Sequence, residues 1–261
     1  MPEQLVGRSS PSLPIRSEIG RRGAARYRPA MCGRFTLTAT PQAIAQRFAL
    51  REPPALAPRY NIAPGQPVWV VRGDDAGVRR ADSVRWGLVP AWSSEPDPGA
   101  SWINARIETL DEKPVFREAF RARRCLVPAD AFYEWADHGG FRQPYRIALP
   151  DGALFAFAGL WERWRDPSGR ALESCAIVTT DASPVLRRLH DRMPVVLPDA
   201  DIAEWLAPSQ QDVRALKHLL LRAGDPGFAH HPVGTRVNSV ANDDPACAEP
   251  AAPAPRQESL F

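Results

Sequence analysis

Four short segments set reactive side chains beside small or aromatic neighbours: "MCGRF" (31–35), "WINARIETL" (102–110), "PADAFYEW" (128–135) and "LHDRMPVVL" (189–197). In the first, Cys32 is followed by Gly33 and Arg34. A guanidinium favours thiolate, and glycine lets a second backbone or a ligand come close. A lone cysteine is equally a small buried hydrophobe. Its nitrogen separates the two readings. If the chain starts at Met31 and that Met is removed, Cys32 offers an α-amine of pKa about 7.7–8.0 beside a thiol of about 8.5. Such a 1,2-aminothiol condenses with an aldehyde to an imine and closes through sulfur to a thiazolidine. A cysteine whose nitrogen is in a peptide bond cannot.

The other three segments supply proton-transfer and anion-holding groups. Glu134 lies between Tyr133 and Trp135. A carboxylate among rings is desolvated, which raises its pKa and suits it to move protons; the alternative is a strand-end Glu that points to water. Asn104 and Arg106 share a face if "INARIE" is a strand, giving an amide and a guanidinium fit for phosphate or carbonyl oxygens, or a plain polar stripe. His190-Asp191-Arg192 reads as a poised base or as a turn with local ion pairing. Trp86, Trp92 and Trp102 fall in a Pro/Gly-rich stretch, where rings either pack or stack on unpaired bases.

Composition narrows the classes. The net charge of +3 is concentrated in residues 1–31, which hold six Arg against Glu3 and Glu18. Phosphate binding must therefore come from local clustering. Four scattered cysteines without a C-x-x-C pair predict a reducing compartment, no disulfide framework and no cysteine-based zinc site. His230-His231 with Cys247 lacks metal-site spacing, and no Gly-rich loop resembles a nucleotide cradle, so chemistry without metal or cofactor is expected. No apolar run is long enough to span a bilayer.

The elements that must position these residues are mostly strands: 66–72, 82–88, 124–128, 144–149, 153–161 and 174–180. Helices are predicted at 41–50, 112–124, at "ADIAEWL" and at 210–224. Strands in hairpin-like pairs without βαβ alternation predict an antiparallel α+β domain. Residues 1–30 read as a disordered leader or a start assigned too early, 31–242 as the domain, and 243–261 as a disordered acidic Pro/Ala tail.

Read in order, "MCGRF", "RYNIAPGQ" (59–66), "RWGLVPAW" (85–92), "INARIET" (103–109), "RRCLVPADAFYEW" (123–135), "IVTTDAS" (177–183), "LHDRMPVVL" and "VNSV" (237–240) resemble the SOS-response-associated peptidase (SRAP) family. The resemblance implies a single α+β domain with a barrel-like β core and flanking helices. It implies an enzyme that crosslinks through an N-terminal Cys thiazolidine to abasic sites in single-stranded DNA, shielding them, with a lyase-like activity and a thiol autopeptidase activity besides. Carried over by motif, Cys32 is the nucleophile, Asn104 orients it or the sugar, Glu134 shuttles protons, and His190 stabilises or deprotonates the reacting hydroxyl. Gly33, Arg34 and Arg106 meet the DNA backbone, while Trp86 and the Asn61–Pro64 loop wedge or stack at a kink. No cofactor, metal or membrane is implied; the expected state is a cytoplasmic monomer, nucleoid-associated during damage. Cys with His and Glu also fits a cysteine autopeptidase or hydrolase, and the same groove fits a non-covalent reader of damaged single strands.

Overall fold

The computed structural model describes residues 33–96 and 102–252; Cys32, the expected leader and residues 253–261 of the expected tail lie outside the described residues. The architecture is α+β, as the pairing of apolar runs predicts. One sheet has the order β12-β8-β7-β1-β2, from β1 (Phe35–Leu37), β2 (Arg59–Ile62), β7 (Ala131–Asp137), β8 (Arg142–Ala148) and β12 (Ala229–Pro232). The other contains β3 (Pro67–Gly73), β4 (Arg79–Trp86), β6 (Arg124–Ala129), β9 (Phe155–Arg165) and β10 (Ala171–Asp181). Because β9 pairs with both β6 and β10, those five strands close into a barrel. Closure removes the unpaired edges that an open sheet exposes.

β10 organises the rest. Along one edge it pairs in parallel with β4 and then with β5 (Asn104–Arg106). Along the other it pairs antiparallel with β9 and then with β11 (Arg192–Pro194). These two parallel pairings depart from the all-antiparallel expectation. Edge-to-face contacts of Phe157 with Phe35 (5.8 Å) and with Phe132 (5.9 Å) join the two sheets through the core.

The helices follow local chemistry. In α1 (Pro41–Phe48), Thr40 caps the Ala43 N–H, Pro41 fills the first turn, and Ile44 and Phe48 are buried. The helix expected over 112–124 is only α2 (Arg117–Ala122). Pro114 supplies no N–H to start it earlier, and the Arg124 side chain folds back onto the Phe120 and Arg121 carbonyls that would continue it. α3 (Asp199–Leu206) packs on β3 and β6, and α4 (Val213–Arg222), capped by Asp212, packs on α3. Among the described residues no helix is long and apolar enough to cross a membrane.

Packing onto the domain continues past residue 242 to Ala251. Cys247, in the 3₁₀ turn Pro245–Cys247, is buried against Tyr133, Val233 and Val237. Asp243, which composition assigns to a tail, accepts the Tyr60 and Asn61 N–H groups at 2.5 and 2.9 Å. The Ala251 N–H bonds the Pro232 carbonyl.

Candidate active site and nucleic-acid interface

Strand register assembles the first half of the site. Phe35 pairs with Phe132 and Thr36 with Ala131, and the Tyr133 N–H bonds the Arg34 carbonyl. Continuing that antiparallel ladder sets Gly33, the residue joined to Cys32, opposite Glu134. Glu134 is only 5% exposed, which rules out a strand-end carboxylate in water. Its sequence neighbours do not supply the aromatic setting, however. Period-2 alternation sends Tyr133 and Trp135 to the opposite face, where they pack with Val233, Val237 and Cys247. The ring beside Glu134 is Tyr145, its cross-strand partner on β8.

Asp130 fixes where β1 lies. Its buried carboxylate accepts from the Thr36 hydroxyl, from the Thr38 N–H and hydroxyl (2.5 and 2.7 Å) and from the Ala39 N–H (3.2 Å). It sits in "PADAFYEW" between two strand stretches, where acid beside a turn gives no sign of four donors converging on it.

Asn104 and Arg106 do share a face of β5, on either side of the fully buried Ala105, with Arg106 exposed. His190 reaches the same end of the barrel by a different route. It follows the 3₁₀ turn Leu186–Arg188, and its N–H bonds the Leu186 carbonyl. Two residues on, Arg192 makes a two-pronged pair with Glu108 (2.6 and 2.9 Å) and bonds the Asp181 carboxylate (2.6 Å) and the Thr179 carbonyl (2.8 Å). Glu108 stands two residues after Arg106, so this buried guanidinium ties the His190 segment to the Asn104 strand across the end of β10. Burial alone would raise the Glu108 pKa, but hydrogen bonds and charge from Arg192 outweigh it and hold Glu108 below the ordinary carboxylate value. Sequence reasoning missed this latch; 84 residues separate its partners.

His190 is half-buried, and its Nδ1 has two neighbours that exclude each other. The Arg192 backbone N–H points to it at 3.1 Å, and Asp191 Oδ1 stands 2.9 Å away. The Arg192 N–H can only donate and the Asp191 carboxylate can only accept, so the first contact suits a ring with its proton on Nε2 and the second a ring protonated at Nδ1.

Burial counts against the expectations for Trp86 and Asn61: both are 0% exposed, so neither side chain is presented at the surface. Trp86 is a hub. Its ring packs edge-on against Phe35 at 5.2 Å, and its indole N–H bonds the carbonyl of Ile103, the residue before Asn104, at 3.0 Å. Its own carbonyl accepts the Gly65 N–H (2.7 Å), holding the turn Ala63–Gln66. That turn has Pro64 second and Gly65 third at φ +84°, the backbone a type II turn requires. Pro64 itself is half-buried at the surface.

Asn61 clamps the C-terminal segment. Its amide NH2 lies within hydrogen-bond distance of the Val237, Ser239 and Asn242 carbonyls, and its Oδ1 accepts from Arg34 at 2.9 Å. Arg34 also bonds the Val237 carbonyl (2.7 Å) and lies over the Trp135 ring (5.9 Å). Burial lowers its pKa from the usual arginine value. Of the three tryptophans in the Pro/Gly-rich stretch, Trp92 is the exposed one, at 65%, braced edge-on by Trp102. Among the described residues no cluster of three or more His, Cys, Asp or Glu is placed to hold a metal.

Comparison with known proteins identifies the family and the fold. The family model described as SOS response associated peptidase (SRAP) matches residues 31–240. The chain is 40% identical over 223 residues to the abasic site processing protein YoqW of Bacillus subtilis, a match that covers 84% of this chain and 99% of that one. It is 30% identical over 264 residues to the abasic site processing protein HMCES of Xenopus tropicalis, covering 83% of this chain and 77% of that one. Among solved structures, a Bacteroides thetaiotaomicron protein superposes with a TM-score of 0.74 at 25% identity, over 85% of this chain and all of its own. A phage-related protein of Bordetella bronchiseptica gives 0.63 at 33% identity, over 77% and 94%. With eight motifs in order and a match spanning most of its length, this chain belongs to the SRAP family.

Proposed function

We propose that this protein processes abasic sites in single-stranded DNA by forming a covalent link through Cys32. The α-amine of a chain beginning at Cys32 adds to the C1′ aldehyde of the ring-opened sugar, and the aldehyde oxygen leaves as water. The thiol then adds across the resulting C=N bond, its proton passes to nitrogen, and a thiazolidine closes without oxidant or cofactor. Glu134 moves the protons, Asn104 orients the amine or the sugar, and His190 faces the sugar hydroxyl. Arg34 and Arg106 serve the flanking phosphates, Gly33 lets the backbone approach, and Pro64 sits at the bend. Trp92 takes the stacking role expected of Trp86.

The observation that supports this reading best is the β1–β7 register, Phe35 with Phe132 and Thr36 with Ala131, which when continued by two residues brings Gly33 opposite the buried Glu134. The family match, which begins at Met31, and the names of the relatives support it further. The protein acts as a cytoplasmic monomer, with a lyase-like activity at the same site.

The test uses chain beginning at Cys32, full-length chain, and Cys32→Ala, each mixed with an oligonucleotide carrying one abasic site and run on a denaturing gel. A shifted band from the first alone is expected. Salt-sensitive binding without any covalent band overturns the covalent step. Self-cleavage of full-length chain before Cys32 would instead establish the autopeptidase activity.

A further inference from the structure

The face of the sheet that carries Glu134 continues beyond it. Two rows of side chains cross β1, β7, β8 and β12 in register. The inner row is Phe35, Phe132, Ile147 and His230. The outer row is Glu134, Tyr145 and Pro232, and continuing the β1–β7 register places Gly33 opposite Glu134. Adjacent strands lie about 4.8 Å apart, so Tyr145 is one strand from the carboxylate and Pro232 is two.

Tyr145 is half-buried, and two histidines hold its ring. His138, from the turn that joins β7 to β8, lies nearly parallel to it, with centroids 6.5 Å apart and planes at 17°. His230 meets it at a T-shaped contact of 5.6 Å, with planes at 83°. Burial, then the nearby charges of Arg188 and His231, lower the His230 pKa, so its ring is neutral at pH 7 and presents an aromatic surface. Arg188 itself is exposed and lies two residues before His190. A phenol fixed between two imidazoles, with a solvated arginine at one side, is the composition of a base-stacking subsite in single-strand binders.

We infer that Tyr145, backed by His138 and edged by His230, is the stacking platform for the undamaged base next to the abasic sugar, with Arg188 facing that nucleotide's phosphate. The inference rests on the proposed action on abasic DNA and adds a requirement to it. The lesion sugar is held at Glu134 partly by a neighbour that still has a base. Stacking tolerates any base and is strongest for purines, so the platform selects an intact flank over a run of baseless sugars.

The experiment uses chain beginning at Cys32 and single-stranded oligonucleotides with one abasic site. In one substrate 2-aminopurine adjoins the lesion; in the other, baseless spacers flank it on both sides. Wild-type protein should quench the 2-aminopurine and crosslink the purine-flanked substrate about 5- to 100-fold faster. Tyr145→Ala should abolish the quench and bring the purine-flanked rate down to that of the baseless substrate, while Tyr145→Phe keeps both signals. Arg188→Ala should weaken binding to both substrates and flatten its salt dependence. Equal slowing of both substrates by Tyr145→Ala, or quenching that survives it, overturns the inference and leaves the crosslinking reading intact. Quenching without any covalent band removes that reading and keeps the platform. Neither signal from wild type overturns both.

Discussion

Trp86→Phe separates a base-stacking role from a core role. The indole is 0% exposed, and its N–H bonds the Ile103 carbonyl at 3.0 Å. Phenylalanine keeps a ring against Phe35 but loses that donor. The Ile103 carbonyl still accepts the Ile177 N–H at 2.9 Å. The loss is therefore one net hydrogen bond, about 1 kcal/mol, rather than the full cost of an orphaned buried carbonyl. Removing one ring forfeits about 1 kcal/mol of apolar burial, and a residual cavity on the order of 40 Å³ adds about 1 kcal/mol. The total, about 3 kcal/mol, is survivable for a domain with roughly 5–15 kcal/mol of stability. In urea, with a slope of about 2 kcal/mol per molar, the unfolding midpoint should fall by roughly 1.5 M. Affinity for undamaged single-stranded DNA should stay within about twofold of wild type, because the ring never meets a base. Trp92→Ala should do the reverse, weakening DNA binding about tenfold with an unchanged midpoint. A Trp86→Phe protein with the wild-type midpoint and a tenfold binding defect would refute the assignment.

Substitutions at Arg124, Glu108 and Gly159 probe the scaffold. Arg124 bonds the Trp205, Phe120, Ala207 and Gln210 carbonyls (2.7, 3.0, 2.5 and 2.8 Å) as well as that of Arg121, with burial pulling its pKa down to about 10. Arg124→Met removes the donor these carbonyls share, although that of Ala207 still accepts the Gln210 N–H at 3.2 Å, and should cost about 3–5 kcal/mol in urea unfolding, which Arg124→Lys restores only in part because an ammonium has no fork. Glu108 is held below its ordinary value by Arg192, so its contribution is present above the unfolded pKa, about 4.3, and is lost as pH falls through the lower folded value; Glu108→Gln should flatten the urea midpoint between about pH 5 and pH 3, and an unchanged slope would count against the latch. At Gly159 an added Cβ would stand 2.9 Å from Cys125 Sγ and 3.1 Å from Val127 Cγ2, so Gly159→Ala should cost about 1–3 kcal/mol in thermal or urea unfolding, with Cys125→Ala recovering part of it.

What could be read from the chain, and what could not, divides by the range of the interaction. Alternation around Ala105 was enough to put Asn104 and Arg106 on one face, because that pattern is local to three residues. The strand carrying Glu134 was equally legible. Its aromatic neighbour was not, since the adjacent Tyr133 and Trp135 turn away and the relevant ring arrives from β8. Trp86 and Asn61 look like surface recognition residues beside Gly and Pro, yet a closed barrel buries both. Arg192 with Glu108, and Asp130 with the start of β1, are pairs of charges or donors far apart in sequence. The same holds for Asp243, whose carboxylate anchors a segment that composition alone assigns to a tail.

Under the proposed reading the proton chemistry is divided between His190 and Glu134. The Arg192 N–H lies 3.1 Å from Nδ1 of His190, and a ring that accepts it carries its proton on Nε2. We propose that His190 acts in that form, as a donor that holds the sugar oxygen as the ring opens, and that Glu134 takes the protons. The two functions have different substitution patterns. His190→Gln keeps an N–H donor on a side chain of similar reach, so it should retain a measurable part of the crosslinking rate, while His190→Ala loses it. A base would be lost equally in both, since an amide nitrogen cannot accept a proton at neutral pH. Single-turnover rates on an abasic oligonucleotide decide the matter: equal rates for the two variants would return the base to His190 and leave the buried Glu134 without the role that its place opposite Gly33 suggests.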